Sequence, residues 1–263
     1  MLTMNEEPSY GHLKKTGETV DDILGGRIKI FQKEKGYRFS LDSILLAYFI
    51  RLKRNDRVVD LGTGSGIIAL ILAYRFDLQS VIAVEVQEEL VDMARRSISL
   101  NGLQSKIDVR QGDVRKVQNF LEPQSFDAVV FNPPYRKLDS GKINPNEEKA
   151  IARHEIMGTI ADFLSSAKYL LKNTGSVHLI YPARRGAELI YQMRLNSIEP
   201  KRICMVHSSS SSCAEFILTE GTKKGGEELT VMPPLFIYDE KGTYSREMEG
   251  IFMEISYPVG TAD

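Results

Sequence analysis

Residues 57–70 read RVVDLGTGSGIIAL, and this stretch indicates how the chain folds. It begins with a β-branched run, passes through three glycines at alternate positions, and ends in a continuous apolar segment. Such a run is typical of a short buried strand, and the apolar segment is typical of a buried helix. Glycine permits the tight turn between them and lets the backbone approach a ligand closely. The stretch therefore predicts a strand, a ligand-binding loop and a helix.

The alternation of strand and helix continues along the chain. Further strands are predicted at 81–85, 107–113, 126–131 and 176–182, and a C-terminal hairpin at 202–207 and 214–220. Helices are predicted at 67–74, 87–100, 160–171 and 186–196. The third helix begins with Thr159 and Asp162 in capping-box spacing. We expect an α/β fold with a mostly parallel seven-stranded sheet, an antiparallel C-terminal hairpin, and helices on both faces.

Two extensions flank the predicted core. The expected division of the chain is an N-terminal extension at 1–54, a ligand-binding core at 55–220 and a C-terminal extension at 221–263. Residues 23–32 alternate around two glycines and predict a short hairpin or edge strand. Residues 34–50 predict a loop and then a short buried helix. Near the start of that helix, Ser40 and Asp42 suit either helix capping or closure over a bound ligand.

The composition is that of an ordinary globular protein: 42% of the 263 residues are hydrophobic and 26% are charged. The net charge of −1 gives no overall attraction to nucleic acid, so any basic surface must be local. Two cysteines are too few for a disulfide framework or a zinc site, and we expect no metal. The chain shows neither a signal-peptide core nor an apolar run of membrane-spanning length. We expect a cytoplasmic protein, not attached to a membrane, that is a monomer or a weak homodimer.

The glycine loop follows an acidic residue, Asp60, at the end of the first core strand. Its spacing is G-x-G-x-G at Gly62, Gly64 and Gly66, which differs from the G-x-G-x-x-G of dinucleotide-binding loops. A carboxylate beside the loop would repel a pyrophosphate, but it would attract a cationic ammonium group. S-adenosylmethionine carries such a group.

Two more acids end the next two predicted strands. Glu85 follows Asp60 by 25 residues, where α/β nucleotide folds place a carboxylate that accepts hydrogen bonds from ribose hydroxyls. Asp113 is placed to accept a hydrogen bond from the exocyclic amine of an adenine. This arrangement resembles the class I S-adenosylmethionine-dependent methyltransferases, which implies a Rossmann-like fold for about residues 55–220. The cofactor contacts that we expect are Asp60, Gly62, Thr63, Gly64, Gly66, Glu85, Val86, Asp113, Val114 and Asn132.

The strand at 126–131 stops abruptly at Asn132, which is followed by two prolines and Tyr135. In a methyltransferase sheet of this kind that strand lies beside the first, so its end faces the methyl donor. An amine conjugated to a ring is planar and a poor nucleophile, and two acceptors gripping its N–H groups would draw it toward tetrahedral geometry. Asn132 would supply its side-chain oxygen, Pro133 its carbonyl, and Tyr135 a flat face for stacking. The tetrapeptide resembles the (N/D/S)PP(Y/F/W) motif of methyltransferases that act on adenine N6, guanine N2 or protein glutamine.

Segments on both sides of these motifs resemble the bacterial tRNA1(Val) (adenine-37-N6)-methyltransferase family over about residues 23–252. They are GYRFSLDSILLAYF at 36–49, ARHE at 152–155, EPKRI at 199–203 and PLFIYDEKGTYS at 234–245. The resemblance implies that the chain methylates N6 of adenosine 37, with tRNA as its partner. Methylation of rRNA guanine N2 or of protein glutamine N5 remains an alternative. The candidate RNA contacts are Arg136, Lys137 and Arg153.

Overall fold

The computed structural model describes residues 11–35, 38–134 and 158–259. The strands in these ranges are β1 (Glu18–Ile23), β2 (Ile28–Lys33), β3 (Arg57–Leu61), β4 (Ser80–Glu85), β5 (Ile107–Gln111), β6 (Phe126–Phe131), β7 (Leu171–Pro182), β8 (Ile198–His207), β9 (Ala214–Lys223), β10 (Thr230–Val231) and β11 (Leu235–Phe236). The α-helices are α1 (Leu41–Phe49), α2 (Ile67–Arg75), α3 (Glu88–Leu100), α4 (Ile160–Leu170), α5 (Gly186–Leu195) and α6 (Arg246–Ile255). Every strand and helix predicted between residues 57 and 131 is present within two residues of its predicted bounds.

A sheet of nine strands forms the centre of the described chain, in the order β10-β8-β9-β7-β6-β3-β4-β5, with β11 also paired to β8. Strands β5, β4, β3, β6 and β7 run parallel, and β9 runs antiparallel between β7 and β8. The predicted mostly parallel sheet with its antiparallel C-terminal hairpin is confirmed. The predicted count of seven strands is wrong, because β10 and β11 contain only two residues each and are too short to leave an alternating pattern.

The central strands are buried on both faces of the sheet. Val58 of β3 and Val130 of β6 belong to an apolar cluster that they share with α1, α2, α3 and α6. Val59 and Phe131 belong to a second cluster, which they share with α4 and α5. The continuous apolar sequences of β3 and β6 follow from this double burial, since neither face of these strands meets water.

The strand order reverses between β3 and β6, because β4 and β5 lie on one side of β3 while β6 and β7 lie on the other. Ligands of open α/β sheets bind at the carboxyl edge beside such a reversal. Leu61, the last residue of β3, lies opposite Phe131, the last residue of β6. Gly62 and Asn132, which follow them, are therefore neighbours, and Glu85 ends the strand on the other side of β3.

The N-terminal hairpin packs against α3 and forms a separate two-stranded sheet. Ser97 Oγ in α3 accepts a hydrogen bond from the backbone N–H of Phe31 in β2 at 3.0 Å. The Arg96 guanidinium donates hydrogen bonds to both carboxylate oxygens of Glu18 in β1, at 2.6 and 2.7 Å. The predicted hairpin is confirmed, and its first strand begins earlier, at Glu18.

The C-terminal segment contains a helix, α6, that we did not predict from the sequence. Ser245 caps this helix by accepting a hydrogen bond from the Met248 backbone N–H at 3.1 Å. Met248, Ile251 and Ile255 are buried in the apolar cluster that also contains α1. The segment therefore contributes to the core, while the division of the chain at residues 54 and 220 remains a prediction.

Candidate active site

The loop between β3 and α2 uses its glycines for backbone conformations that strain other residues. Gly62, Gly64 and Gly66 have φ angles of 73°, 60° and 90°. A Cβ atom on Gly62 would lie 3.3 Å from the Phe163 ring, and one on Gly66 would lie 3.3 Å from Ala94. Glycine therefore avoids backbone strain at Gly62 and Gly66, and it also avoids a tight contact at each position.

Asp60 lies at the base of this loop and is completely buried. Its Oδ2 accepts a hydrogen bond from Thr63 Oγ1 at 2.6 Å, which ties the loop to the end of β3. Burial raises the pKa of Asp60 to about 7, and the Glu85 carboxylate adds to the rise, although the Thr63 hydrogen bond opposes it. The structure thus gives Asp60 a role in holding the loop, and its contact with an ammonium group remains a prediction.

We predict that Asp60→Asn flattens the pH dependence of folding stability. The ordinary pKa of the Asp60 carboxyl is 3.8, whereas its pKa in the folded protein is about 7. At a pH between these two values, the folded state holds a proton that the unfolded state has lost. The stabilisation of the folded state by this proton is complete below about pH 4 and disappears as the pH rises through 7. From about pH 5.5 to pH 8 this group should lower the wild-type free energy of unfolding by about 2 kcal/mol.

Denaturant titrations of the wild type and of Asp60→Asn at both pH values measure this effect. Asp108→Asn changes an exposed carboxylate of β5 and serves as the control, with a pH dependence that should match the wild type. An Asp60→Asn protein with the full wild-type dependence would show that the buried carboxyl does not titrate in this range.

Glu85 is held in place by three backbone N–H groups. Its Oε2 accepts from Gly64 at 3.0 Å, and its Oε1 accepts from Val86 and Gln87, each at 2.9 Å. Burial raises the pKa of Glu85, and the three N–H groups oppose the rise because they stabilise the charged form. The Gln87 side chain hydrogen-bonds the same carboxylate, so four donors hold the Glu85 side chain in place. The side chain is thus a preorganised acceptor that also joins the glycine loop to the start of α3.

The third acid, Asp113, is engaged by a near neighbour. Its carboxylate accepts from the Arg115 backbone N–H at 2.9 Å and from the Arg115 guanidinium at 2.7 Å. The guanidinium hydrogen bond lowers the pKa of Asp113. Asp113 caps the 3-10 helix Val114–Asn119, so its contact with an adenine amine remains a prediction.

A cleft of about 550 Å³ opens at the carboxyl edge of β3, β4 and β6. The predicted cofactor contacts that line it are Gly62, Gly64, Glu85, Val86, Val114 and Asn132. The lining residues that we did not predict are Gln87, Leu90, Pro134 and Phe163. The predicted residues outside this lining are Asp60, Thr63, Gly66, Asp113 and Pro133. Apolar walls with one buried carboxylate and two side-chain amides suit a nucleoside that carries a polar tail.

Asn132 follows β6 and lines the cleft. Its Nδ2 donates to Asp42 Oδ2 at 3.1 Å and to Ser43 Oγ at 3.2 Å, both in the first turn of α1. Ser40 occupies the N-cap position of this helix, but its side chain makes no capping hydrogen bond. This contact of Asp42 with Asn132 differs from both roles expected from the sequence, which were helix capping and closure over a ligand.

Of the remaining predicted site residues, one lies within the described ranges and four lie outside them. Pro133 is buried. The residues outside the described ranges are Tyr135, Arg136, Lys137 and Arg153. Among the described residues, no group of three or more His, Cys, Asp or Glu side chains is arranged to hold a metal ion. No helix in the described ranges has the length and apolarity needed to cross a membrane.

At the point where its strand order reverses, this α/β sheet holds a cleft lined by the buried Glu85 carboxylate and the Asn132 amide. That combination defines a class I, S-adenosylmethionine-dependent methyltransferase. Residues 38–199 match the methyltransferase small domain family, and the chain belongs to this family. The predicted fold class, enzyme class and cofactor are thereby confirmed.

Similar proteins agree with the family resemblance inferred from the sequence. A protein of Actinobacillus succinogenes is 32% identical over 78% of this chain and 84% of its own length. One of Photobacterium profundum is 28% identical over 81% of this chain and 88% of its own length. Both are named tRNA1(Val) (adenine(37)-N6)-methyltransferase.

Solved structures show the same fold at lower identity. A predicted O-methyltransferase of Agrobacterium tumefaciens has a TM-score of 0.67 and 23% identity, covering 82% of this chain and 97% of that one. M. jannaschii TYW2 in complex with AdoMet has a TM-score of 0.54 and 17% identity, covering 80% of this chain and 86% of that one. These likenesses concern the fold alone.

Proposed function

We propose that the protein methylates N6 of an adenine in tRNA, at adenosine 37 beside the anticodon of tRNA-Val, with S-adenosylmethionine as methyl donor. The observation that carries this proposal is the position of Asn132, which stands after β6 in the same cleft as Gly62 and Glu85. The sequence Asn-Pro-Pro-Tyr at 132–135 supports an amine as the methyl acceptor. The names of the sequence relatives support adenine 37 of tRNA as the target.

The chain has to make a planar amine nucleophilic beside the methyl donor. When bound, the cofactor supplies an electrophilic methyl group on its sulfonium. The side-chain oxygen of Asn132 and the carbonyl of Pro133 accept hydrogen bonds from the two N–H groups of the amine, which aims the nitrogen lone pair at the methyl group. The two prolines fix the direction of the second acceptor. Methyl transfer would form the C–N bond as the C–S bond of the cofactor breaks, leaving a neutral thioether and a positively charged nitrogen, which would lose a proton to water without a strong base.

The target base has to leave its stack to reach the bottom of the cleft. An anticodon loop makes this easy, because its bases are single-stranded. We propose that Tyr135 replaces the lost stacking and that Arg136, Lys137 and Arg153 hold flanking phosphates, in a contact that weakens with salt. The protein would act in the cytoplasm as a monomer or a weak homodimer.

We predict that Tyr135→Ala lowers turnover on tRNA by about 10- to 100-fold, because one base-stacking contact contributes ~1–3 kcal/mol. Tyr135→Phe keeps the ring face and should keep most of the activity, and neither variant should change cofactor affinity. Initial rates and calorimetric titrations separate the two effects. Tyr191→Ala, at an exposed tyrosine of α5, is the control. Equal losses in the alanine and phenylalanine variants would argue for the hydroxyl and against stacking.

The proposed function is tested by identifying the methylated product. The enzyme is incubated with methyl-labelled S-adenosylmethionine and unmodified tRNA-Val, and the RNA is digested to nucleosides for mass spectrometry. We expect N6-methyladenosine, which disappears when adenosine 37 of the transcript is replaced. N2-methylguanosine, or label found only in protein, would contradict the proposal in favour of one of the two alternatives.

A further inference from the structure

We infer that Asp42 and Ser43 are positioning residues that fix the orientation of the Asn132 amide for methyl transfer. The inference deepens the proposed function, since it takes the Asn132 oxygen as an acceptor for the substrate amine. The contact joins the N-terminal helix α1 to the end of β6, across 90 residues of sequence. The N-terminal segment thus contributes directly to the geometry of the active site.

The chemistry of the three side chains decides which end of the amide faces α1. A carboxylate only accepts hydrogen bonds, so Nδ2 has to face Asp42. The Ser43 hydroxyl accepts from the same nitrogen. The Asn132 oxygen consequently lies at the opposite end of the amide. An amide turned by about 180° would set its oxygen against the Asp42 carboxylate and would offer N–H groups to a substrate amine that is itself a donor.

Asp42 is in turn fixed by its own helix. Its Oδ1 accepts from the Ser40 hydroxyl and from the Ser43 backbone N–H, the latter at 3.0 Å. These bonds leave Oδ2 directed at Asn132. Asp42 is only 7% exposed and Ser43 only 3%, so water competes weakly for these contacts. A partly buried charge-assisted hydrogen bond of this kind is stronger than one between neutral groups.

A purely structural role for Asp42 predicts different results. An acid in the first turn of a helix stabilises that helix through its dipole. If that were its whole contribution, its loss would lower stability and leave the Asn132 amide and the turnover of folded molecules unchanged.

The first test does not depend on substrate. In protein labelled with ¹⁵N-asparagine, the Asn132 side-chain amide is assigned by its absence from Asn132→Asp. We expect its protons to exchange slowly with water in the wild type and at least about tenfold faster in Asp42→Ala, because the charged one of its two acceptors, Asp42 and Ser43, is lost. Asp22→Ala, at an exposed carboxylate of β1, is the control and should match the wild type. Unchanged exchange in Asp42→Ala would overturn the inference.

The second test exchanges the two groups. Asn132→Asp sets two carboxylates against each other and should lower kcat on tRNA by about 10²-fold. Adding Asp42→Asn restores one donor facing one acceptor and leaves an oxygen at the far end of residue 132. We expect the double variant to regain at least about tenfold in kcat. The KM for tRNA and the cofactor affinity should match those of Asn132→Asp.

Additive losses in the double variant would refute the coupling. A lower cofactor affinity in Asp42→Asn alone would instead assign Asp42 to the cofactor and would also refute it. A wild-type protein that methylates no tRNA would count against the proposed function, and the exchange measurement would still decide the role of Asp42.

Discussion

The Asn132→Ala variant is expected to fold and to bind S-adenosylmethionine, yet to methylate its substrate about 10²–10³ times more slowly than the wild type. The residue lies beyond the last ladder position of β6, so alanine removes no backbone hydrogen bond of the sheet. It removes the side-chain oxygen that we assign to the substrate amine. The Pro133 carbonyl remains and holds only one of the two N–H groups, which leaves the nitrogen close to planar.

Single-turnover methylation at saturating cofactor measures this effect, with calorimetry and thermal unfolding alongside. Stability should fall modestly, because Asp42 keeps the hydrogen bonds to its Oδ1 while its Oδ2 loses one donor. Asn119→Ala, at an exposed asparagine of the 3-10 helix after β5, is the control. A rate above about a tenth of the wild-type rate would contradict this role, because losing a preorganised acceptor should lower the rate by about 10²–10³-fold.

Glu85→Ala is expected to weaken S-adenosylmethionine binding by about 10- to 100-fold, which corresponds to ~1–3 kcal/mol for lost hydrogen bonds to a charged acceptor. The loss has two sources. One is the ribose contact itself. The other is the release of the Gly64, Val86 and Gln87 N–H groups, which leaves the glycine loop and the start of α3 without their common acceptor.

Glu85→Gln shows whether shape alone suffices at this position. The glutamine has nearly the same size, but both oxygens of the Glu85 carboxylate accept from backbone N–H groups, so the NH₂ group has to face a donor in either orientation. We therefore expect an affinity about as low as that of the alanine variant. Glu88→Gln, at an exposed acid in the first turn of α3, is the control. Wild-type affinity in both Glu85 variants would remove this residue from the ribose site.

Local chemistry explains why much of the fold could be predicted. The strands at 57–61 and 126–131 end where a glycine and an asparagine interrupt an apolar run, and the structure has the same bounds. Thr159 and Asp162 form the predicted capping box, in which each side chain bonds the backbone of the other residue. These features depend on neighbours within a few residues, so the sequence displays them directly.

Contacts between distant segments could not be predicted in this way. The pairing of Asp42 with Asn132 leaves no periodic signal. Phe163 reaches the cleft because α4 folds over the glycine loop, and in the sequence it is one apolar helix residue among several. The helix α6, in contrast, could have been predicted from the sequence, because Ser245 precedes apolar residues at helical spacing.

The register that sets Leu61 opposite Phe131 has a consequence for the kinetics of folding. Pairing these parallel strands encloses about 70 residues, and pairing β3 with β4 encloses more than 20. Such non-local pairings lose loop-closure entropy before their contacts form, which slows the formation of the cleft. A ligand that binds only the complete cleft, present at about a hundred times its dissociation constant, adds about 2.7 kcal/mol to the free energy of unfolding. A newly synthesised chain is thus stabilised in its native form by the same molecule that it consumes in every turnover.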